Sequence, residues 1–189
     1  MANCSDNKSS AGNQQGRPDK QLQQTVSSSL GWYIAGFVDG EGSFNISLRK
    51  KQDYKTRWQP VLNFNVSQKD KTILETMLQV FTCGIIKQRK DGLFSFDVTT
   101  PSDLCEHIIP FFSKFTFYSK SKCKNFQLFV QACELMNNQE HLQEDGLRKL
   151  LIIREKLNQG KGRKRKYSFR DVYPEPSETI RQARYGGKR

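Results

Sequence analysis

The sequence predicts an α+β fold in which a four-stranded antiparallel sheet carries helices on one of its faces. Two observations lead to this prediction. A helical segment followed by two alternating strands occurs twice in succession, and further helical segments follow the second unit. Such strands form a sheet that buries its apolar face under helices and leaves the opposite face polar. The predicted order is therefore αββαββα followed by C-terminal helices.

The first unit opens with a helix at residues 30–39, and the three serines at 27–29 are its candidate N-caps. Residues 44–51 then alternate between apolar and polar side chains, which is the period of a strand. After a polar turn, residues 58–68 alternate in the same way. In both strands the large aliphatic and aromatic side chains fall on one face, so this face is predicted to be buried.

The second unit starts with an amphipathic helix at residues 70–81. Gly84 opens a third strand, and the dipeptide Asp91-Gly92 predicts a hairpin that leads into a fourth strand at residues 94–98. The second unit therefore repeats the order of the first.

Three helices complete the predicted fold. A short helix starts at Pro101 and is expected to stop near Ile109, because Pro110 follows. A longer helix covers residues 119–137, and a last amphipathic helix covers residues 140–157.

The charge is unevenly distributed along the chain. The formal net charge is +12, which indicates a polyanionic partner, although RNA-binding and membrane-surface proteins share this excess. The last 29 residues contain ten basic and three acidic side chains. The composition divides the chain into a polar, disordered N-terminal tail (1–28), a folded domain (29–160) and a basic C-terminal tail (161–189).

The five cysteines form an odd set without C-x-x-C spacing, and only two histidines accompany them. This pattern favours neither a zinc site nor a disulfide framework. No secretory signal or membrane-spanning segment is visible. We therefore expect an intracellular protein with reduced cysteines that does not bind a membrane.

The polar face of the sheet is the predicted surface for DNA. Amides read adenine edges and basic side chains read guanine in the major groove, which admits a two-stranded ribbon. An ordinary solvated face would carry more acids, and a sheet that reads RNA would carry exposed aromatic residues. The candidate DNA-binding residues are Asn45, Ser47, Arg49, Lys51, Gln59, Asn63, Asn65, Lys87, Arg89, Ser95 and Asp97.

Residues 34–42 read IAGFVDGEG and end the first helix in an acidic, glycine-rich turn. Gly40 and Gly42 place Glu41 at the C-terminus of the helix, where free carbonyls point outward and the dipole is negative. This arrangement suits a hard divalent cation. A plain core helix ending in a loop is the alternative, whereas an EF-hand loop is excluded because its glycine and its final glutamate are missing.

These residues resemble the motif that names the LAGLIDADG homing endonucleases, with Ile34 for the first leucine and Glu41 for the last acid. The resemblance covers residues 30–157 and is nearest to the single-motif branch found in group I introns. It implies a sequence-specific double-strand DNA endonuclease. Such an enzyme cleaves a long pseudo-palindromic site by metal-dependent phosphodiester hydrolysis.

The resemblance also implies a homodimer, because the active site of this family joins two motif copies and this chain carries one. Ala35, Gly36 and Gly40 would then lie at or near the contact between the two helices. Each protomer would supply Glu41 and the backbone carbonyl of Gly40 as ligands of Mg²⁺.

Two further catalytic residues follow from the resemblance. Gln68, after the second strand, corresponds to the polar residue that holds solvent near the scissile phosphate. Lys120 fits the pocket lysine that opens a long helix, with Lys122 and Lys124 as alternatives.

One departure from the family pattern concerns a second basic residue, whose place is taken by Thr72; Lys71 is the candidate replacement.

An intron maturase that binds RNA and a non-catalytic DNA-binding protein remain alternatives for the function. The expected location is a chloroplast, a mitochondrion or a bacterial cytoplasm.

Overall fold

Four antiparallel strands form the sheet in the computed structural model, which describes residues 26–159 and 165–174. Their spatial order is β1-β2-β4-β3. The strands are β1 (Gly42–Lys50), β2 (Trp58–Gln68), β3 (Ile85–Gln88) and β4 (Phe94–Val98). The predicted α+β class and four-stranded sheet are therefore confirmed.

The helices follow the predicted αββαββα order. They are α1 (Ser28–Glu41), α2 (Thr72–Phe81), α3 (Pro101–Asp103), α4 (Ile109–Lys114), α5 (Lys120–Asn137), α6 (Glu144–Lys156) and α7 (Phe169–Val172). A π-helical turn at Leu104–Ile108 joins α3 to α4, and a 3₁₀ turn at Glu140–Leu142 precedes α6. None of the helices in the described ranges has the length and apolar character needed to span a bilayer.

Helix α1 begins and ends where its sequence provides caps. The Ser27 side chain accepts a hydrogen bond from the backbone of Leu30, and the backbone of Gly42 donates to the carbonyl of Val38. Gly31 faces the core, where an added Cβ would lie 2.3 Å from the ring of Phe115. Only a residue without a side chain lets the helix approach the core this closely.

The apolar face of the sheet packs against the helices, as the alternation predicts. Along β1 and β2, buried and partly exposed residues alternate. The two strands pair so that Asn45 is opposite Asn63, and β2 pairs with β4 so that Asn65 is opposite Asp97. The core is largely aromatic, and its fully buried phenylalanines are Phe44, Phe64, Phe81, Phe96, Phe112 and Phe129.

Pro110 does not stop the helix in which it occurs, so this prediction is wrong. The chain remains helical from Pro101 to Lys114 because a π-helical turn precedes the proline. The backbone of Ile109 donates to the carbonyl of Leu104, and a new α-helical segment starts there. Pro110 thus lies in the first turn of α4, where a missing N–H is tolerated.

The described part of the predicted basic tail packs against the folded domain. Tyr167 and Phe169 contact a small apolar cluster that includes Leu48 and Trp58. The buried Arg154 fixes the same segment, because its Nη2 donates to the carbonyl of Tyr167 at 2.6 Å. The aromatic residues between the basic ones explain this packing. Most of the predicted N-terminal tail (1–25), the remainder of the predicted basic tail (161–164 and 175–189) and residue 160 lie outside the described ranges.

Removing residues 161–189 is expected to destabilise the protein by about 3 kcal/mol more than removing residues 175–189 alone. Only the longer deletion uncovers Trp58 and takes the Tyr167 carbonyl from the buried Arg154. Denaturant unfolding of the two shortened chains measures the difference. Equal free energies of unfolding would contradict a stabilising role for residues 165–174.

Candidate functional site

The C-terminal end of α1 presents an acidic side chain to solvent. Gly40 and Glu41 are exposed, and the following Gly42 turns the chain directly into β1. No side chain of the described residues forms a hydrogen bond or an ion pair with the Glu41 carboxylate. This carboxylate therefore lies beside the carbonyl end of a helix with its oxygens available to a ligand.

Asp39 joins the end of α1 to the start of α5. Its carboxylate accepts hydrogen bonds from the backbones of Ser119, at 2.8 Å, and Tyr118, at 3.1 Å, and from the Ser119 hydroxyl. Burial alone would raise the pKa of Asp39, but these hydrogen bonds and the charge of Lys122 together hold it below its ordinary value. No local pattern in the sequence indicates this role of Asp39, although the residue lies inside the IAGFVDGEG motif.

Lys122 is the lysine that the structure brings to the end of α1. Its ammonium donates a hydrogen bond to the carbonyl of Gly42. Burial lowers the pKa of Lys122, while the charges of Asp39 and Glu41 oppose that shift. The lysine is therefore half-buried beside the two acids.

Lys120, which the sequence placed in this role, is exposed at the first position of α5. Lys124 is exposed as well. Residues two positions apart on a helix point about 200° apart, so Lys120 and Lys124 leave the helix on the side away from Lys122. The structure thus favours one of the two alternatives that the sequence had left open.

Gln68 is the last residue of β2 and is partly exposed. Because Gly42 pairs with Val66, the end of β2 lies beside the junction of α1 and β1, and Gln68 is at the same end of the sheet as Glu41. Lys71, the candidate second cation, forms an ion pair of 2.8 Å with Glu75 on its own helix. The ammonium of Lys71 is therefore already engaged.

The outer face of α1 is largely exposed, although the ring of Trp32 packs edge-on against that of Phe115 in the same protomer. Trp32 and Tyr33 are 52% and 58% exposed. An added Cβ at Gly36 or Gly40 would meet no atom within 4 Å. Ala35, by contrast, is 1% exposed and packs in the core of its own protomer, and its place at or near a dimer contact stays a prediction.

The predicted DNA-facing residues lie on or next to the strands, on the face opposite the helices. Ten of the eleven are at least partly exposed. The exception is Ser95, which is 5% exposed and accepts a hydrogen bond of 2.7 Å from Asn65 Nδ2. The same alternation also places Ser67 and Ile85 on this face, although neither is among the eleven predicted DNA-binding residues. Arg89 Nη1 donates to the Ser67 hydroxyl at 3.4 Å.

A metal ion would find only part of a ligand set in one protomer. Within residues 26–159 and 165–174, no three histidine, cysteine or acidic side chains come together in a way that could hold one. Glu41 and the adjacent helix-end carbonyl are hard oxygen ligands of the kind that Mg²⁺ and Ca²⁺ prefer. Asp39 is engaged with α5, so it does not complete the set.

Comparison with families of known proteins gives a match to the family described as LAGLIDADG endonuclease over residues 34–133. The probable intron-encoded endonuclease 2 of Neurospora crassa is 32% identical over 130 residues, which are 67% of this chain and 27% of that protein. The DNA endonuclease I-CeuI of Chlamydomonas moewusii is 31% identical over 149 residues, which are 75% of this chain and 67% of that protein.

The fold is also similar to that of a solved structure, I-SmaMI bound to an uncleaved DNA target in the presence of calcium ions. The TM-score is 0.66 at 35% sequence identity, and the similarity covers 70% of this chain and 46% of that one. This chain spans about a quarter of the length of the first curated relatives.

Proposed function

The chain belongs to the LAGLIDADG endonuclease family, and from this membership we propose that it is a sequence-specific, metal-dependent endonuclease that cuts both strands of DNA as a homodimer. One observation carries the proposal: the free carboxylate of Glu41 and the half-buried Lys122, whose ammonium donates to the carbonyl of Gly42, lie at the same end of an open polar sheet. The sheet can hold a duplex while the two charged groups lie close to one phosphate.

We propose Glu41 and the carbonyl of Gly40 as ligands of Mg²⁺, with the second set supplied by the partner protomer. When bound, Mg²⁺ would stabilise negative charge on the phosphate and favour ionisation of a water molecule. The described residues of one protomer hold no complete ligand set, which supports a site shared between two copies.

The remaining groups have roles that need no metal. The Lys122 ammonium is placed to stabilise charge that develops on the scissile phosphate. The Gln68 amide can orient a water molecule, since it donates and accepts hydrogen bonds. The open face of the sheet would contact base edges in the major groove, and Arg49, Lys87 and other exposed basic residues would contact phosphates.

The function is tested by incubating the purified chain with duplex DNA that carries the uninterrupted insertion site of the intron encoding it. We expect double-strand cleavage at one sequence when Mg²⁺ is present and none in EDTA. Binding to the intron RNA without DNA cleavage would favour the maturase alternative. Specific DNA binding without cleavage would favour a regulator. The relatives named as intron-encoded support this choice of substrate.

The outer face of α1 supports the homodimer. Tyr33, Gly36 and Gly40 recur at helical spacing and therefore share a face, and the two glycines leave room for another backbone to approach. Exposed aromatic residues beside such glycines are typical of a helix surface that packs against a partner. A second copy of α1 would cover this face around a two-fold axis and bring the two Glu41 carboxylates together.

Gly36→Leu is expected to weaken the dimer by about 1–3 kcal/mol, because a large side chain separates two closely packed helices. The protomer itself should fold normally, since a Cβ at this position meets no atom within 4 Å. Analytical ultracentrifugation measures the dimer dissociation constant, and circular dichroism monitors folding. Gln127→Leu is the control, because it also introduces a leucine on an exposed helix surface, that of α5. An unchanged dissociation constant in Gly36→Leu would contradict a contact through this face.

A further inference from the structure

A hydrogen-bonded cluster occupies the centre of the open face of the sheet. Asp97 Oδ1 accepts hydrogen bonds from the amides of Asn65, at 2.8 Å, and Asn63, at 3.2 Å. Asp97 Oδ2 accepts from the Ser95 hydroxyl at 2.7 Å. These bonds link β2 to β4 and fix the plane of the carboxylate before any ligand arrives.

The cluster offers an acceptor to a ligand. A carboxylate has about four acceptor positions, and the three bonds to Asp97 leave one of them open on Oδ2. Asn65 Nδ2 is engaged with Ser95 and Asp97, and its Oδ1 accepts from Ser67. The one buried side-chain atom without a partner on the described part of this face is also an acceptor, Asn63 Oδ1.

Asp97 is the one acid among the eleven candidate DNA-binding residues, so its charge opposes the approach of phosphates. Its carboxylate would also repel the acceptor atoms that guanine and thymine present in the major groove. The same charge favours a base with an amino group at that place. Such a residue discriminates between sequences by rejecting the wrong base as well as by binding the right one.

The neighbour of Asp97 restricts the choice between the two bases that carry an amino group. Ile85 is the β3 partner of Asp97 and is 49% exposed on the same face. In the major groove, the amino group of adenine lies beside the N7 acceptor, which a carboxylate repels. The amino group of cytosine lies beside an apolar C5–H edge, which suits contact with isoleucine.

We propose that Asp97 is a specificity-determining residue that accepts a hydrogen bond from the N4 amino group of a cytosine, with Ile85 against the pyrimidine edge. The proposal rests on the proposed DNA-binding function and adds the base that is read at one position. In a homodimer, this cytosine occurs once in each half-site, at symmetric positions.

The proposal is tested by selecting bound duplexes from a randomised pool in calcium, the ion present with the I-SmaMI relative on uncleaved DNA. The wild-type chain should enrich cytosine at least about fivefold over the other bases at one position in each half-site. Asp97→Asn keeps the shape but presents a donor in place of the free acceptor. At this position alone, its preference should change to guanine or thymine.

Unchanged base preferences at all other positions of the site would show that the Asp97→Asn chain is folded. As a control, Asn45→Ala should alter the base preference at a different position. A second measurement does not depend on any variant. Replacing the selected cytosine by 2-pyrimidinone, which lacks the amino group, should weaken wild-type binding at least about fivefold. It should not weaken the binding of Asp97→Asn.

A wild-type chain that selects no sequence would overturn the proposed function, and this inference with it. A selected site that is the same for wild type and Asp97→Asn, or that tolerates 2-pyrimidinone at the cytosine, would overturn this inference alone. The cluster would then serve only to hold β2 against β4.

Discussion

Glu41→Gln is expected to cleave DNA on the order of a thousandfold more slowly than the wild-type chain, while binding DNA with similar affinity. The substitution keeps the size of the side chain and removes the charge of a proposed metal ligand. Metal-assisted charge stabilisation contributes several kcal/mol to such reactions, and each loss of about 1.4 kcal/mol slows a reaction tenfold. Since Glu41 is exposed and has no side-chain partner among the described residues, the fold should not change.

Single-turnover cleavage in Mg²⁺ and a binding assay in Ca²⁺ separate the two effects. Glu106→Gln is the matched control, because it removes the same charge from an exposed position in the helical layer. Cleavage by Glu41→Gln at a rate near that of the control would exclude Glu41 as a metal ligand. Loss of both binding and cleavage would indicate that the carboxylate serves the fold or the dimer instead.

Most of the sheet could be predicted because the period of a strand is a local property of the sequence. The limits of β2 agree with the predicted residues 58–68, and its alternate residues are buried as expected. Helix α1 extends two residues beyond its predicted end, to Glu41, because its C-cap is Gly42 and not Gly40. The position of such a helix end depends on which of two nearby glycines adopts a non-helical backbone conformation.

The connections within the candidate site could not be predicted, because they join residues that are distant in sequence. Asp39 and Ser119 are 80 positions apart, and no local pattern indicates that they meet. The same is true of Ala35, Gly36 and Gly40: their spacing predicts a close helix contact but does not say which side faces the core. The structure places Ala35 inside the protomer and leaves the two glycines on the outer face.

Which of three lysines reaches the end of α1 depends on the rotation of α5 about its own axis. Lys120, Lys122 and Lys124 all stand near the start of α5, and a sequence pattern cannot fix the direction of each. The hydrogen bonds from Ser119 and Tyr118 to Asp39 set the rotation of this helix end. With that rotation, Lys122 reaches the carbonyl of Gly42 and the other two lysines remain exposed.

Lys122→Met is therefore expected to slow cleavage by about 10²–10³-fold, the usual cost of removing one group that stabilises a transition-state charge. Methionine has a similar length and suits a half-buried position, so the free energy of unfolding should decrease only by about 1 kcal/mol, the contribution of the hydrogen bond to the Gly42 carbonyl. DNA binding should weaken much less than cleavage, because one phosphate contact among many is lost. The ratio of the two effects is measured by single-turnover cleavage and by binding in Ca²⁺.

Lys120→Met and Lys124→Met are the matched controls, since they remove the same charge from the same helix turn at exposed positions. Both should keep cleavage within about threefold of wild type and lower affinity only through the general attraction to phosphates, an effect that salt diminishes. A large loss of cleavage in Lys120→Met with little loss in Lys122→Met would restore the assignment made from the sequence. Equal losses in all three variants would mean that the helix end contributes a diffuse positive charge and that no single lysine acts on the scissile phosphate.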